Sequence, residues 1–185
     1  MTDTEKKNKK LKIFLTGYLG FQGIEQNPTE LLVKEIFNQK EKFTKENIEL
    51  VDFRIFTVTT DYVDENIHYI YDQINQEEKD TIFLIIHFGL YAASKIPQIE
   101  TKAVNFIHDE FKKKIICDKD GKCFLTKLNA ENIVNDLNKT EDCPECKLSC
   151  DAGTYLCNYI YYTSLKKYQD AENVLVTFIH IPLFE

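Results

Sequence analysis

Among the residue types able to form covalent intermediates, Cys157 has the most telling address. In SCDAGTYLCNYIYY, residues 149–162, it stands behind an Ala-Gly-Thr turn and a few residues into an apolar run that reads as a buried helix. With Thr154 as the helix cap, Cys157 falls in the first turn, where the helix macrodipole favours an anionic thiolate. That is a position for a nucleophile. Among Leu156, Ile160 and Tyr161 the same residue also reads as a small core hydrophobe, free Cys being among the most buried residue types. Spacing alone leaves both readings open.

A thiol nucleophile needs a base, and the chain has four histidines, His68, His87, His108 and His180. His87 and His180 lie near the carboxyl ends of apolar strands, where open α/β sheets place their ligand crevices. Either one also reads as a hydrogen-bonded core residue. His68 falls in an ordinary helical pattern, and His108 follows a weaker strand. A rival cluster is Cys143-Pro-Glu-Cys146 with Cys150 beyond it and Cys117 and Cys123 upstream. A structural zinc would ask for a second CxxC or an HxxxH, and neither is present, so these read chiefly as loop thiols. The loop Gly17-Tyr-Leu-Gly20-Phe-Gln-Gly23 follows a strand and precedes a helix. Its GxxGxxG spacing is neither a dinucleotide nor a P-loop fingerprint. Tyr18 and Phe21, three apart on it, suit either a flat neutral ring or simple loop packing.

Elements must hold these groups in place. KIFLT at 12–16 reads as a strand entering that loop, and Asn27-Pro-Thr-Glu30 as a helix start, with Asn27 as cap, Pro28 at the first position and Glu30 closing a capping box. Leu31, Leu32, Ile36 and Phe37 mark the buried face. Residues 49–58 read as a strand, 64–76 as a helix, and 81–88 (TIFLIIHF) as a central strand covered on both faces. Shorter β pieces fill 101–126, with a turn at Asp120-Gly121. A surface helix is expected at 129–138, a polar loop without core contribution at 139–147, a helix to about Tyr168 and a last strand at 173–181. The strand–helix alternation predicts an α/β sandwich.

Bulk properties bound the function. The 185 residues suit one domain with a real core. With 43% hydrophobic and 29% charged residues, 13 Phe and 10 Tyr, the composition is that of a soluble globular protein. A formal charge of −7 argues against nucleic acid, and the lysine runs at 6–10 and 112–114 are too short to reverse it. The polar start MTDTEKKNKK lacks the pattern of a secretory signal. The longest apolar run, Ile82 to Ala93, is too short to span a bilayer. A soluble cytoplasmic protein is expected, its six cysteines mostly free.

Four blocks, LTGYLGFQG…NP at 15–28, IETKAVN at 99–105, DAGTYLCNYIYY at 151–162 and FIHIP at 178–182, are together similar to the pyroglutamyl-peptidase I family of intracellular cysteine peptidases. The first resembles the family's TGFxPFGG…NP, the second its ExxAxN, the third its AGxYxCN…Y, and the fourth its F-[IV]-H-[IV]-P. The blocks keep the family's order and spacing over most of the chain. The resemblance implies a three-layer αβα sandwich around a mixed, largely parallel twisted sheet, of the phosphorylase/hydrolase-like kind. It implies removal of N-terminal pyroglutamate from peptides through a thioester, with no cofactor and no metal. Carried over by motif, Cys157 is the nucleophile, His180 the base and Glu100 the group orienting the imidazole. Tyr18, Phe21 and Tyr155 match the ring-binding aromatics, and Asn27 and Asn105 match polar positions that support the site.

The chain also departs from the pattern. Tyr18 replaces a Phe, Gln22 replaces the first Gly of a pair, and Leu90 stands where some members carry a side-chain amide. The family's basic residue near the oxyanion has no clear counterpart, Lys112 and Lys113 being the nearest. The division expected is a polar tail at 1–10 and a single peptidase domain at 11–185 without the family's usual terminal helix. That would leave an apolar face beside His180 for self-association or a partner. A catalytically inactive homologue acting as an interaction protein is the alternative reading.

Overall fold

The structure, a computed structural model, describes residues 9–109, 112–114, 116 and 123–184. The Asp120-Gly121 turn, Cys117, the Lys112 and Lys113 side chains and most of the N-terminal tail lie outside what it describes.

Strand β1 (Lys10–Tyr18) pairs in parallel with β2 (Ile48–Phe56) on one side and β3 (Thr81–Leu90) on the other. Beyond β3 lies β10 (Val174–Ile181), also parallel. The short β4 (Gln98–Glu100) then runs antiparallel to β10, and β9 (Lys147–Ser149) parallel to β4. The six-stranded order is β2-β1-β3-β10-β4-β9. This is the mixed, mostly parallel sheet of the expected α/β fold. Two small antiparallel pairs sit beside it, β5 (Lys102–Val104) with β8 (Cys123–Leu125), and β6 (Ile107–Asp109) with β7 (Lys112–Lys114).

Alternation along the strands builds the two faces. Phe14 and Tyr18 of β1, Phe83 and Ile85 of β3, and Val174, Val176 and Phe178 of β10 pack under α6 (Leu156–Lys167). Val63, from α3 (Thr60–Asn66), and Ile70, from α4 (His68–Tyr71), complete that layer. The single helix expected at 64–76 is therefore two short ones, starting earlier at Thr60 and ending at Tyr71. Leu15, Leu50, Phe88 and Ile181 turn to the opposite face, beneath Val33 of α1 (Pro28–Asn38), which the four-residue α2 (Lys40–Phe43) follows. On that face α5 (Ala130–Leu137) packs its Ala130 and Val134 on Ile99 of β4. Cys146 is buried in the same cluster, so the 139–147 loop does contribute to the core.

Local chemistry sets the start of α1 close against the sheet. Asn27 Oδ1 accepts the Thr29 N–H at 3.0 Å, while Pro28 opens the helix. Glu30 pairs with Lys34 Nζ at 2.6 Å. Thr29 Oγ1 accepts the Tyr18 N–H at 2.9 Å, and a Cβ on Gly17 would stand 2.7 Å from Thr29 O. Gly17 is required there by close approach. Neighbours on either side of β1 are reached in opposite directions, so a crevice opens at the carboxyl ends of β1 and β3.

Candidate active site

The crevice is a cavity of about 520 Å³ whose lining includes Tyr18, Phe21, Leu90, Gln98, Cys157 and His180. His180 lies near the end of β10, on the α6 face, buried beside Phe178 with ring centroids 4.8 Å apart. Its Nδ1 is 2.7 Å from Glu100 Oε1. A carboxylate only accepts, so Nδ1 carries the hydrogen and donates it. The remaining ring nitrogen, Nε2, is then the one left for Cys157. Burial by itself would lower the His180 pKa. The hydrogen bonds and charges of Cys157 and Glu100 overcome it and raise the value from 6.5 to about 9.

Glu100 is 1% exposed and comes from β4, whose antiparallel course sets residue 100 opposite Phe178 and Gln98 opposite His180. Its second oxygen, Oε2, accepts the Asp151 N–H at 3.2 Å. Asp151 Oδ1 in turn accepts the Gly153 N–H at 3.1 Å, and Gly153 has φ +78°. This tight turn leads straight into α6, tying the carboxylate to the helix that carries Cys157.

Cys157 is the second residue of α6 and is half-buried. The cap is Tyr155 and not Thr154: Tyr155 makes no capping side-chain bond, and Thr154 Oγ1 instead meets His108 Nδ1 at 2.8 Å. The first-turn N–H groups therefore have no side-chain cap beside the thiol. A Cβ on Gly89 would stand 2.9 Å from Cys157 Sγ, so the bare backbone of β3 makes room for the sulfur. The next residue, Asn158, is fully buried and clamps the strand after Glu100. Its Oδ1 accepts the Val104 N–H, and its Nδ2 donates to Val104 O and Phe106 O, each at 2.8 Å.

The other expected residues divide between cavity and frame. Tyr18 is buried, its ring 6.3 Å from Phe56, with the phenol donating to Leu156 O at 3.5 Å. Burial, reinforced by Cys157, pushes that phenol well above its usual pKa. Phe21 is half-buried at the rim, on a turn where Gln22 (φ +46°) and Gly23 (φ +85°) are both left-handed. Tyr155 is 66% exposed and packs edge-on to His108 with centroids 6.0 Å apart. Asn27 lines the cavity, yet its amide is spent on the α1 cap and on Leu19 O. Asn105 sits between β5 and β6, outside the cavity lining.

His87, the other strand-end histidine, is wholly buried in a different network. Its Nδ1 meets Thr16 Oγ1 at 2.8 Å and its Nε2 meets Ser164 Oγ at 3.0 Å, while Ser164 also meets the Tyr71 hydroxyl at 2.7 Å. Among the described residues no group of three or more His, Cys, Asp or Glu is arranged to hold a metal ion, and no helix is long and apolar enough to cross a membrane.

The family model for pyroglutamyl peptidase matches residues 11–185. The chain belongs to the pyroglutamyl peptidase family. It is thereby a hydrolase of the cysteine-peptidase class, with the family's pyroglutamyl-peptidase activity. The pyrrolidone-carboxylate peptidase of Pyrococcus furiosus is 29% identical over 190 residues, spanning 93% of this chain and 81% of that protein. That of Coprothermobacter proteolyticus is 28% identical over 180 residues, spanning 92% and 81%. The fold matches the crystal structure of the pyrrolidone carboxyl peptidase of Fervidobacterium islandicum, with a TM-score of 0.80 at 24% identity over 95% of this chain and 82% of the other.

Within this pyroglutamyl peptidase, sequence reasoning passed over Gly89, Gln98, Asp151 and Asn158. Gly89 carried a usable signal, since a glycine inside a central strand marks close approach. Asn158 carried none, because a buried asparagine in a helix is recognised only once its partners are known.

Proposed function

We propose that Cys157 is the nucleophile, His180 the general base and acid, and Glu100 the residue that orients and stabilises the imidazolium. The supporting observation is one contiguous set, Glu100 bonded to His180 Nδ1 and Cys157 interacting with His180, opening on a cavity. His180 Nε2 takes the thiol proton. Sγ then attacks the carbonyl carbon that joins pyroglutamate to the next residue. The tetrahedral oxyanion is met by the uncapped first-turn N–H groups of α6. As the C–N bond breaks, the imidazolium gives its proton to the leaving amine. Water, deprotonated by His180, hydrolyses the thioester and releases pyroglutamate.

Tyr18 and Phe21 are assigned to the walls around the lactam and Tyr155 to the rim. Asn27 braces the loop that carries Phe21, and Asn105 the strand after Glu100. Pyroglutamyl peptides are the substrates. A cytoplasmic location belongs to the same reading, supported by the five described cysteines, all free thiols.

The test is hydrolysis of a fluorogenic pyroglutamyl amide by the purified protein, with a prolyl amide and Cys157→Ala as controls. Release from the pyroglutamyl substrate alone, abolished in the variant, is expected. Equal release by a folded Cys157→Ala protein would overturn the assignment of the nucleophile.

A further inference from the structure

Gln98 is a buried amide on the cavity wall whose hydrogen-bonding capacity the fold leaves half used. It is the register partner of His180 across β4 and β10, and it shares a strand face with Glu100 two residues on. Its Nε2 is 2.8 Å from Ser94 Oγ. The Ser94 hydroxyl gives its single hydrogen to Ile96 O at 2.7 Å, so it can only accept from Gln98. That direction fixes the amide: Nε2 faces Ser94, and the carbonyl Oε1 is turned away from it. Oε1 has no partner among the described hydrogen bonds, while Leu90, Tyr18 and Phe21 give the same cavity much of its apolar wall. An acceptor set in such a wall gains most from a ligand that brings an N–H.

Resting on the catalytic reading above, we infer that Gln98 is a specificity-determining residue whose Oε1 accepts the ring N–H of the pyroglutamyl lactam. The second Nε2 hydrogen remains for the ring carbonyl. The lactam presents its N–H and C=O side by side, and a primary amide offers the complementary acceptor and donor. Aromatic walls select a flat ring of the right size without distinguishing a lactam from a carbocycle. Gln98 makes that distinction, because a substrate lacking the N–H leaves a buried acceptor unpaired.

The experiment compares two fluorogenic amides, the pyroglutamyl lactam and the analogue in which ring oxygen replaces N–H, on the wild-type protein and on Gln98→Met. The ratio of their kcat/KM values is the readout. It should fall by about 10- to 100-fold in Gln98→Met. A ratio unchanged from wild type, whether activity on both substrates drops together or on neither, overturns the inference, since a mere prop for β4 would weaken both alike. Failure of the underlying catalytic reading shows separately, as hydrolysis of the lactam that survives Cys157→Ala.

Discussion

His180 and His87 lie on adjacent strands, face the same side of the sheet and each meet a side chain of α6, yet they carry opposite electrostatics. Cys157 serves one and Ser164 the other, seven residues apart and so two turns along one helix face. The His180 partners include the carboxylate of Glu100, and its pKa is raised to about 9. The His87 partners are the hydroxyls of Thr16 and Ser164, and burial lowers its pKa to about 3. A histidine beside an OH or SH is thus not enough to make a site. The added ingredients are a buried anion on the far nitrogen and a cavity on the near one.

Exchanging the anion for a neutral isostere should break the contrast most strongly. Glu100→Gln is expected to lower kcat/KM by about 10²- to 10⁴-fold. It should also move the limb of the pH–rate profile that His180 sets from near 9 to lower pH, because the Glu100 carboxylate helps hold His180 protonated. An unmoved limb in a folded variant would mean that Glu100 does not set the charge on His180.

Stability against pH should sharpen the contrast next. With a folded pKa near 9 against 6.5 unfolded, His180 contributes stability that is fully present below about pH 6.5 and lost as pH rises through about 9. His87 works the other way: its contribution is present above about 6.5 and lost as pH falls from there toward 3. Urea midpoints measured across pH should show the loss on the acid side shrinking in His87→Gln and persisting in Glu100→Gln. The reverse pattern would misassign the acid limb.

The smallest effect is expected from Ser164→Ala, which strips His87 and Tyr71 of a shared partner. Loss of stability by about 1–3 kcal/mol, with hydrolysis of the pyroglutamyl amide within about twofold of wild type, would keep the two networks separate. A large drop in kcat at full folding would join them.

Much of this was legible in residue order. Asn27-Pro28 announced α1, the apolar run at 81–88 announced β3, and the four motif blocks gathered Glu100, Cys157 and His180. Choosing between His87 and His180 was beyond periodicity, since both stand on the same face near strand ends and differ only in what a distant segment brings to them. Glu100 belongs to a three-residue strand, too short to show a pattern, and its antiparallel course interrupts the βαβ rhythm. Thr154 read as a helix cap because threonine suits that position. His108, 46 residues away, takes its hydroxyl instead. Cys146 read as a loop thiol because its neighbours are polar, whereas its burial comes from α5 and β4.

The proposed base, His180, is carried by β10, which sits inside the sheet with β3 on one side and β4 on the other. Any partly folded species in which β10 has not yet inserted therefore holds a thiol and a carboxylate but no imidazole between them. On that reading hydrolysis requires β10 in its place between β3 and β4. Turnover then reports sheet completion, and activity cannot return after dilution from denaturant faster than that one strand docks.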